Sequence, residues 1–265
     1  MKAFYNEKFH YLHTKTEDFS TVISTDHVHT RYEILYYLDG EADYMIGGDT
    51  YHLRKRDLIL IQPGIYHRLI PNENFAYERI CLHFDIDCIP QNLIKIVKQY
   101  KPIIHISKYS AIDNLFTGLL NAEYKDKFNF NDMIFLSEQA IGTVLTHLKY
   151  LQTQDDIAPV HTNGLISGIL EYIDQKVTED INITTLSKAF YKSPSSISHM
   201  FTSVMKAPIK QYIISKKIVY AQSLIRKGEN PTSVALKLSF KDYSTFFKAY
   251  KRVLGVKPTD DAIKG

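Results

Sequence analysis

Asn182-Ile183-Thr184-Thr185-Leu186-Ser187-Lys188-Ala189-Phe190-Tyr191-Lys192-Ser193-Pro194-Ser195-Ser196-Ile197 reads as two short helices meeting at a tight turn. The Asn182 amide oxygen suits the open N–H groups at the start of a helix running through Thr184, Leu186 and Ala189. Ser193-Pro194 then restarts the chain as a cap followed by a proline that needs no hydrogen-bond donor. The pattern repeats: Asn230-Pro231 opens a helix through Val234, Ala235 and Leu238, and Asp242 caps the next one. Ser193 and Asp242 stand 49 residues apart. Between the units, Ile209, Ile213, Ile218, Ala221, Leu224 and Ile225 recur at helical spacing and predict a connecting helix. About twenty helical residues at ~1.5 Å each span roughly 30 Å, close to the ~34 Å between successive major-groove faces of one duplex turn.

The helix faces agree with a duplex-reading role. In 194–204, Ile197, Phe201 and Val204 form an apolar stripe, leaving Ser195, Ser196, Ser198, His199 and Thr202 outward, short groups able to reach base edges. In 243–254, Phe246, Tyr250 and Val253 turn inward, leaving Tyr243, Ser244, Phe247, Lys248 and Lys251 outward. An outward phenylalanine is unusual in water. Phe247 is compatible with contact to a thymine methyl and equally with packing on a neighbouring domain.

Charge is distributed to match. Residues 161–265 hold 16 lysines and arginines against 8 acidic side chains, net +8, whereas the remaining 16 basic and 21 acidic residues lie before them, net −5. Clustered cations suit a polyanion, because phosphate neutralisation releases counterions. The two cysteines, Cys81 and Cys88, are too few for a disulfide framework or a four-ligand zinc site, and read as reduced thiols. The start of the chain has no apolar leader-like core, and no apolar run approaches the ~18 residues of a membrane span. A cytoplasmic protein with no membrane partner is expected.

Upstream, Ile166, Ile169, Leu170, Ile173 and Val177 predict a helix ending near Thr178. Residues 20–86 instead alternate in short runs, Tyr32 to Leu38, Ala42 to Ile46, Leu58 to Ile61 and Tyr77 to Phe84, broken by Gly47-Gly48-Asp49 and Pro63-Gly64. That is the pattern of a small barrel or sandwich. From about Gln91 to Gln152 the period lengthens, and Phe135, Ala140, Val144, Leu148 and Leu151 predict a helix that covers the sheet or forms a dimer seam. Gln154-Asp155-Asp156-Ile157-Ala158-Pro159 is polar, ends in proline, and coincides with the charge break. The expected organisation is an all-β domain with following helices over 1–155 and an all-α domain over 162–265.

The ordered motifs Ile169 to Ile173, Leu186 to Ser195, and Phe240 to Lys248 through Leu254-Gly255-Val256-Lys257-Pro258 resemble the AraC/XylS family of bacterial transcription regulators, over about 162–260. The resemblance implies a double helix-turn-helix domain binding double-stranded DNA, in a protein that works as a regulator and not as an enzyme. A homodimer and RNA polymerase are the partners it suggests. Several positions depart from the family pattern. His199 stands where the first recognition helix usually has arginine, and Lys248 holds the equivalent place in the second, so bidentate guanine reading is lost. Lys206 and Ser239 replace glycines at turns, and the usual closing Tyr-Arg pair is Asp261-Ala262. The first unit should therefore read sequence weakly, leaving affinity to Lys248, Lys251, Arg252 and other phosphate contacts.

His27-Val28-His29-Thr30-Arg31-Tyr32-Glu33 and Pro63-Gly64-Ile65-Tyr66-His67 resemble the two cupin motifs. His27 and His29 share one strand face by the period of two. In metal cupins the positions matching His27, His29, Glu33 and His67 hold one divalent ion, and imidazole with carboxylate suits zinc, manganese, iron or nickel. Sensor cupins use the same positions without metal, so no cofactor is expected. Their reading gives a pocket for a sugar or other polar effector formed by His27, His29, Arg31, Glu33, Tyr36, Tyr44 and His67. The competing function is a metal-dependent cupin enzyme, such as a sugar isomerase or dioxygenase, with an appended helical interaction domain.

Overall fold

A computed structural model describes every residue except 1, 7, 17–28, 41, 72–75, 86–87, 90–92, 94–101, 109, 125–127, 150–162 and 263–265. The polar stretch 154–159 read as a linker, Leu151 and His27 lie outside the described residues. Contacts divide the chain into two compact units, the first built mainly on residues up to 161 and the second mainly on 162–265.

The first unit contains β1 (Lys2–Tyr5), β2 (Phe9–Thr16), β3 (Tyr32–Gly40), β4 (Ala42–Ile46), β5 (Asp49–Leu53), β6 (Asp57–Ile61), β7 (His67–Pro71), β8 (Tyr77–Phe84) and β9 (Ile103–His105). Among the described residues these form two sheets, ordered β1-β2-β8-β3-β6-β9 and β5-β4-β7, and not one closed barrel. Gly47 and Gly48 join β4 to β5 with φ of 57° and 92°, left-handed values that a side chain would resist. β1 and β2 precede the region read as strands, and β9 lies within the region read as helical.

Alternation gives each central strand two different faces. Leu35, Tyr37, Ile59, Ile61, Tyr77 and Cys81 pack towards Tyr44, Ile46, Leu53 and Leu69 of the smaller sheet. Their neighbours Ile34, Tyr36, Leu58, Leu60, Ile80, Leu82 and Phe84 pack under α1 (Ala111–Tyr124) and α2 (Phe130–Leu148), through Phe116, Leu119, Ala140, Val144 and Leu148. Phe135 is the exception to the expected helical stripe and is 59% exposed. Five residues before Ala140, it points about 140° away from the buried face at 100° per residue, and Met133, Ile134 and Ser137 take its place.

 Ala140 itself, five residues after Phe135, is fully buried.

The second unit contains α3 (Gly164–Gln175), α4 (Ile183–Phe190), α5 (Pro194–Met205), α6 (Ile209–Ile225), α7 (Pro231–Lys237), α8 (Tyr243–Leu254) and α9 (Pro258–Ala262). α3 stops three residues before the expected Thr178. The expected caps form: Asn182 accepts from Thr184 and Thr185, Ser193 from Ser196, Asn230 from Thr232 and Ser233, and Asp242 from Thr245. Each such cap contributes about 1 kcal/mol. α6 has 17 residues, about 26 Å at 1.5 Å per residue, shorter than the twenty expected.

Candidate nucleic-acid interface and effector pocket

α4 and α5 form one helix-turn-helix, and α7 and α8 a second. On α5, Ile197, Phe201 and Met205 are buried while Ser195, Ser196, Ser198, His199 and Thr202 are exposed. Met205 completes the inner stripe where Val204 was expected, and Val204 is half-buried. On α8 the buried set is Phe246, Ala249 and Tyr250, with Val253 half-buried. Ser244, Lys248, Lys251 and Arg252 are exposed, whereas Tyr243 and Phe247 are half-buried with ring centroids 6.3 Å apart. Phe247 thus leans on its own helix instead of standing alone in solvent.

Gly255 ends α8 with left-handed backbone at φ 75°, but three other turns around these helices adopt it without glycine. Lys206 and Ser239 have φ of 53° and 56°, as their place in the motif implies. Tyr191, which ends α4, is a third such residue, with φ of 52° and 93% of its surface exposed. Each costs roughly 1 kcal/mol relative to glycine.

Asp261 occupies the departure at the end of the motif. It is 2% exposed and accepts from Gln222 Nε2 at 2.9 Å, the Tyr250 hydroxyl at 2.8 Å and Arg226 at 3.2 Å. The carboxylate therefore joins α6, α8 and α9, a role the sequence left unassigned.

In the first unit the register of β3 against β8 sets Glu33 opposite His83, and β6 places Ile61 on its other side. Glu33 is 1% exposed and His67 fully buried. His83 Nε2 and His67 Nε2 approach the same Glu33 oxygen, Oε2, at 3.1 and 3.2 Å. His67 Nδ1 lies 2.8 Å from the Ile65 carbonyl, which assigns the ring proton to Nδ1 and leaves Nε2 facing the carboxylate. The Tyr44 ring stacks on His67 with centroids 6.2 Å apart.

Arg79, Cys81 and His83 share the inner face of β8 by the period of two. Arg79 is half-buried with its Nε covered. Burial opposes its charge, but Cys81, Tyr44, Tyr77 and Glu33 around it outweigh that effect and raise its pKa. Burial pushes the Cys81 thiol well above its ordinary range, and burial followed by the Glu33 charge does the same to Tyr44. A reactive thiolate is thereby disfavoured at Cys81. Sequence reading missed Arg79, Cys81 and His83, although their alternation with Ile80, Leu82 and Phe84 was the available signal.

Of the other expected pocket residues, Tyr36 and Arg31 make their contacts elsewhere. Tyr36 stands three positions from Glu33 and so faces the opposite side of β3. Its hydroxyl donates to Asp113 at 2.6 Å and its ring stacks on Phe116 at 4.3 Å, beneath α1. Arg31 pairs with Asp85 at 3.5 Å. His29, half-buried just ahead of β3, does join the cluster: one potential ligand atom each from His29, Glu33 and His83 lie within 4.8 Å of one another. A recess of about 640 Å³ opens away from the Glu33 cluster, along α2 beside Lys8, Ile89 and Gly142. Among the described residues no helix is long and apolar enough to cross a membrane.

A sheet-rich unit with an inward polar cluster and a helical unit with two helix-turn-helix elements define a DNA-binding transcription regulator with a ligand-binding domain. The AraC-like ligand binding domain family matches residues 14–129, and the helix-turn-helix domain family matches 186–261. The chain belongs to the AraC family of transcription regulators. It is 23% identical over 256 residues to the HTH-type transcriptional regulator YfiF of Bacillus subtilis, covering 94% of this chain and 79% of that protein. It is 20% identical to the melibiose operon regulatory protein of Escherichia coli, covering 89% of this chain and 83% of that one. Its structure aligns with ToxT from Vibrio cholerae at a TM-score of 0.42 and 13% identity, over 98% of both chains.

Proposed function

We propose that the protein is a sequence-specific, effector-responsive regulator whose α5 and α8 enter successive major grooves of one duplex. The exposed cationic row Lys248, Lys251 and Arg252 on α8 carries this reading, because α5 offers only serines, a threonine and His199 on the corresponding face. Cations supply the salt-dependent affinity that phosphates reward, while short hydroxyls can contact base edges with little affinity of their own. Tyr243, Ser244 and Phe247 complete the α8 face. The active form is a cytoplasmic homodimer that engages RNA polymerase.

The effector is a small polar metabolite such as a sugar, held between the sheets by Glu33, Tyr44 and His67 together with Arg79 and His83. Carboxylate, imidazole, phenol and guanidinium there supply acceptors and donors beside aromatic surface, which suits a polyol. Effector binding shifts the population of DNA-competent states by its differential affinity for them. The test is a titration of the full chain with sugars and other polar metabolites, reading both thermal stability and duplex affinity. At least one compound should shift both, and Glu33→Gln should abolish the shift. A panel without effect, or a shift that Glu33→Gln leaves intact, removes this pocket from the account.

A second reading has one specific support, the approach of two imidazole nitrogens to one carboxylate oxygen. One potential ligand atom each from His29, Glu33 and His83 lie within 4.8 Å of one another, and a divalent transition metal fits that imidazole and carboxylate donor set. His67, whose Nε2 approaches the same Glu33 oxygen, and His27 are the further candidates for such an ion. Stoichiometric metal in the purified chain that His67→Ala removes favours this reading, and metal-free protein that still responds to effector removes it.

A further inference from the structure

Lys217 lies on α6 and is only 6% exposed, an unusual setting for an ammonium group. Its Nζ donates to the Glu179 carbonyl and to the Leu238 carbonyl, each at 2.7 Å. Glu179 precedes Asn182, the cap of α4, by three residues. Leu238 closes α7 and precedes Asp242, the cap of α8, by four. One side chain therefore holds the lead-in to the first helix-turn-helix and the turn inside the second.

A second tie runs in parallel. The Ser239 hydroxyl donates to the Thr178 carbonyl at 2.8 Å, and the left-handed Ser239 backbone aims it there. The Phe240 ring centroid lies 5.9 Å from Lys217 Nζ and covers the ammonium. An apolar side chain could fill this volume without the penalty of burying a charge. What only a multi-donor group supplies is a simultaneous hold on two carbonyls from different units.

We propose that Lys217 is a positioning residue that fixes the register between the two helix-turn-helix units, and hence the spacing of the two DNA boxes they read. The inference rests on the reading that α5 and α8 occupy successive grooves. Each base pair added between boxes moves the second by about 3.4 Å and turns it by about 34°, so a rigid pair of units accepts one spacing while a loosened pair accepts several.

The test is selection of duplexes from a random-sequence library by the full chain, in parallel with Lys217→Met, Lys217→Arg and Ser239→Gly. The wild type should enrich two boxes at a single centre-to-centre spacing near 10 base pairs. Lys217→Met should enrich the same boxes over a spread of spacings, with about tenfold weaker binding at the wild-type spacing and unchanged affinity for a duplex carrying one box. Lys217→Arg should restore the single spacing, because a guanidinium also donates to two carbonyls. A general loss of folding would lower single-box affinity too, so the spacing profile separates the positioning role from a merely structural one.

Ser239→Gly suits the left-handed backbone, and losing the Thr178 tie should broaden the spacing in the same direction. If Lys217→Met does not fold, Ser239→Gly decides: a broadened spacing supports the proposal, and an unchanged single spacing overturns it. Lys217→Met that folds and keeps the single wild-type spacing also overturns it. A wild type that enriches no paired boxes removes the two-groove reading, and the proposal with it.

Discussion

The Tyr250 hydroxyl donates to the buried Asp261 carboxylate at 2.8 Å, which ties α8 to α9. Burial, and then the hydrogen bond to Asp261, push the Tyr250 phenol well above its ordinary range, so it remains a donor. Asp261→Ala strands this hydroxyl and removes an acceptor from Gln222 and Arg226. The expected loss is about 2–4 kcal/mol in denaturant unfolding, with a smaller loss for Asp261→Asn, which keeps an acceptor. Equal stability of Asp261→Ala and the wild type would remove the carboxylate from the list of supports.

The two recognition helices should respond unequally to truncation. Lys248→Ala is expected to weaken binding to a selected duplex by about tenfold or more, and to weaken random-sequence binding less. His199→Ala should cost less than about threefold at the selected site. Isothermal or anisotropy titrations at one salt concentration read both. Equal losses for Lys248→Ala on the two duplexes would mark it as a phosphate contact alone.

Tyr191 combines left-handed backbone with almost complete exposure. Tyr191→Gly relieves the steric cost and sacrifices little packing, although glycine also adds freedom to the unfolded chain. A net gain below about 1 kcal/mol is expected from chemical unfolding. A loss would mean that the exposed ring makes a contact worth more than the strain.

Acid should weaken the start of α8. The Thr245 backbone N–H, then its hydroxyl, hold the Asp242 carboxyl below its ordinary value. A carboxyl whose folded pKa is depressed contributes stability above its unfolded pKa and loses it as pH falls through the folded one. The melting temperature of the wild type should therefore exceed that of Asp242→Asn at neutral pH, with the gap closing below about pH 4. A gap that is constant with pH would assign the cap's stability to geometry instead of charge.

The helical unit was largely legible from sequence because its signals are local. Asn182, Ser193, Asn230 and Asp242 each announce a helix start by chemistry that acts over three residues, and the structure forms every one of these caps. Stripe membership was less secure, since Val204 and Met205 both fit the helical period and only packing selects Met205. The Glu33 cluster was harder to read because strand register is a long-range property. Glu33 and His67 belong to recognisable motifs, but His83 meets Glu33 only through the pairing of β3 with β8. Tyr36 lies on the opposite face from Glu33 for a simpler reason: three positions along a strand reverse the face. Asp261 and Lys217 could not be anticipated, because their partners come from segments far along the chain.

Base-contact interference mapping of the full chain on a selected duplex tests most directly whether one chain reads two grooves. Two interference patches about 10 base pairs apart per monomer are predicted, with Lys248→Ala weakening the patch assigned to α8 and His199→Ala leaving both nearly intact. A single patch per monomer, or two patches that Lys248→Ala leaves unchanged, would contradict the account.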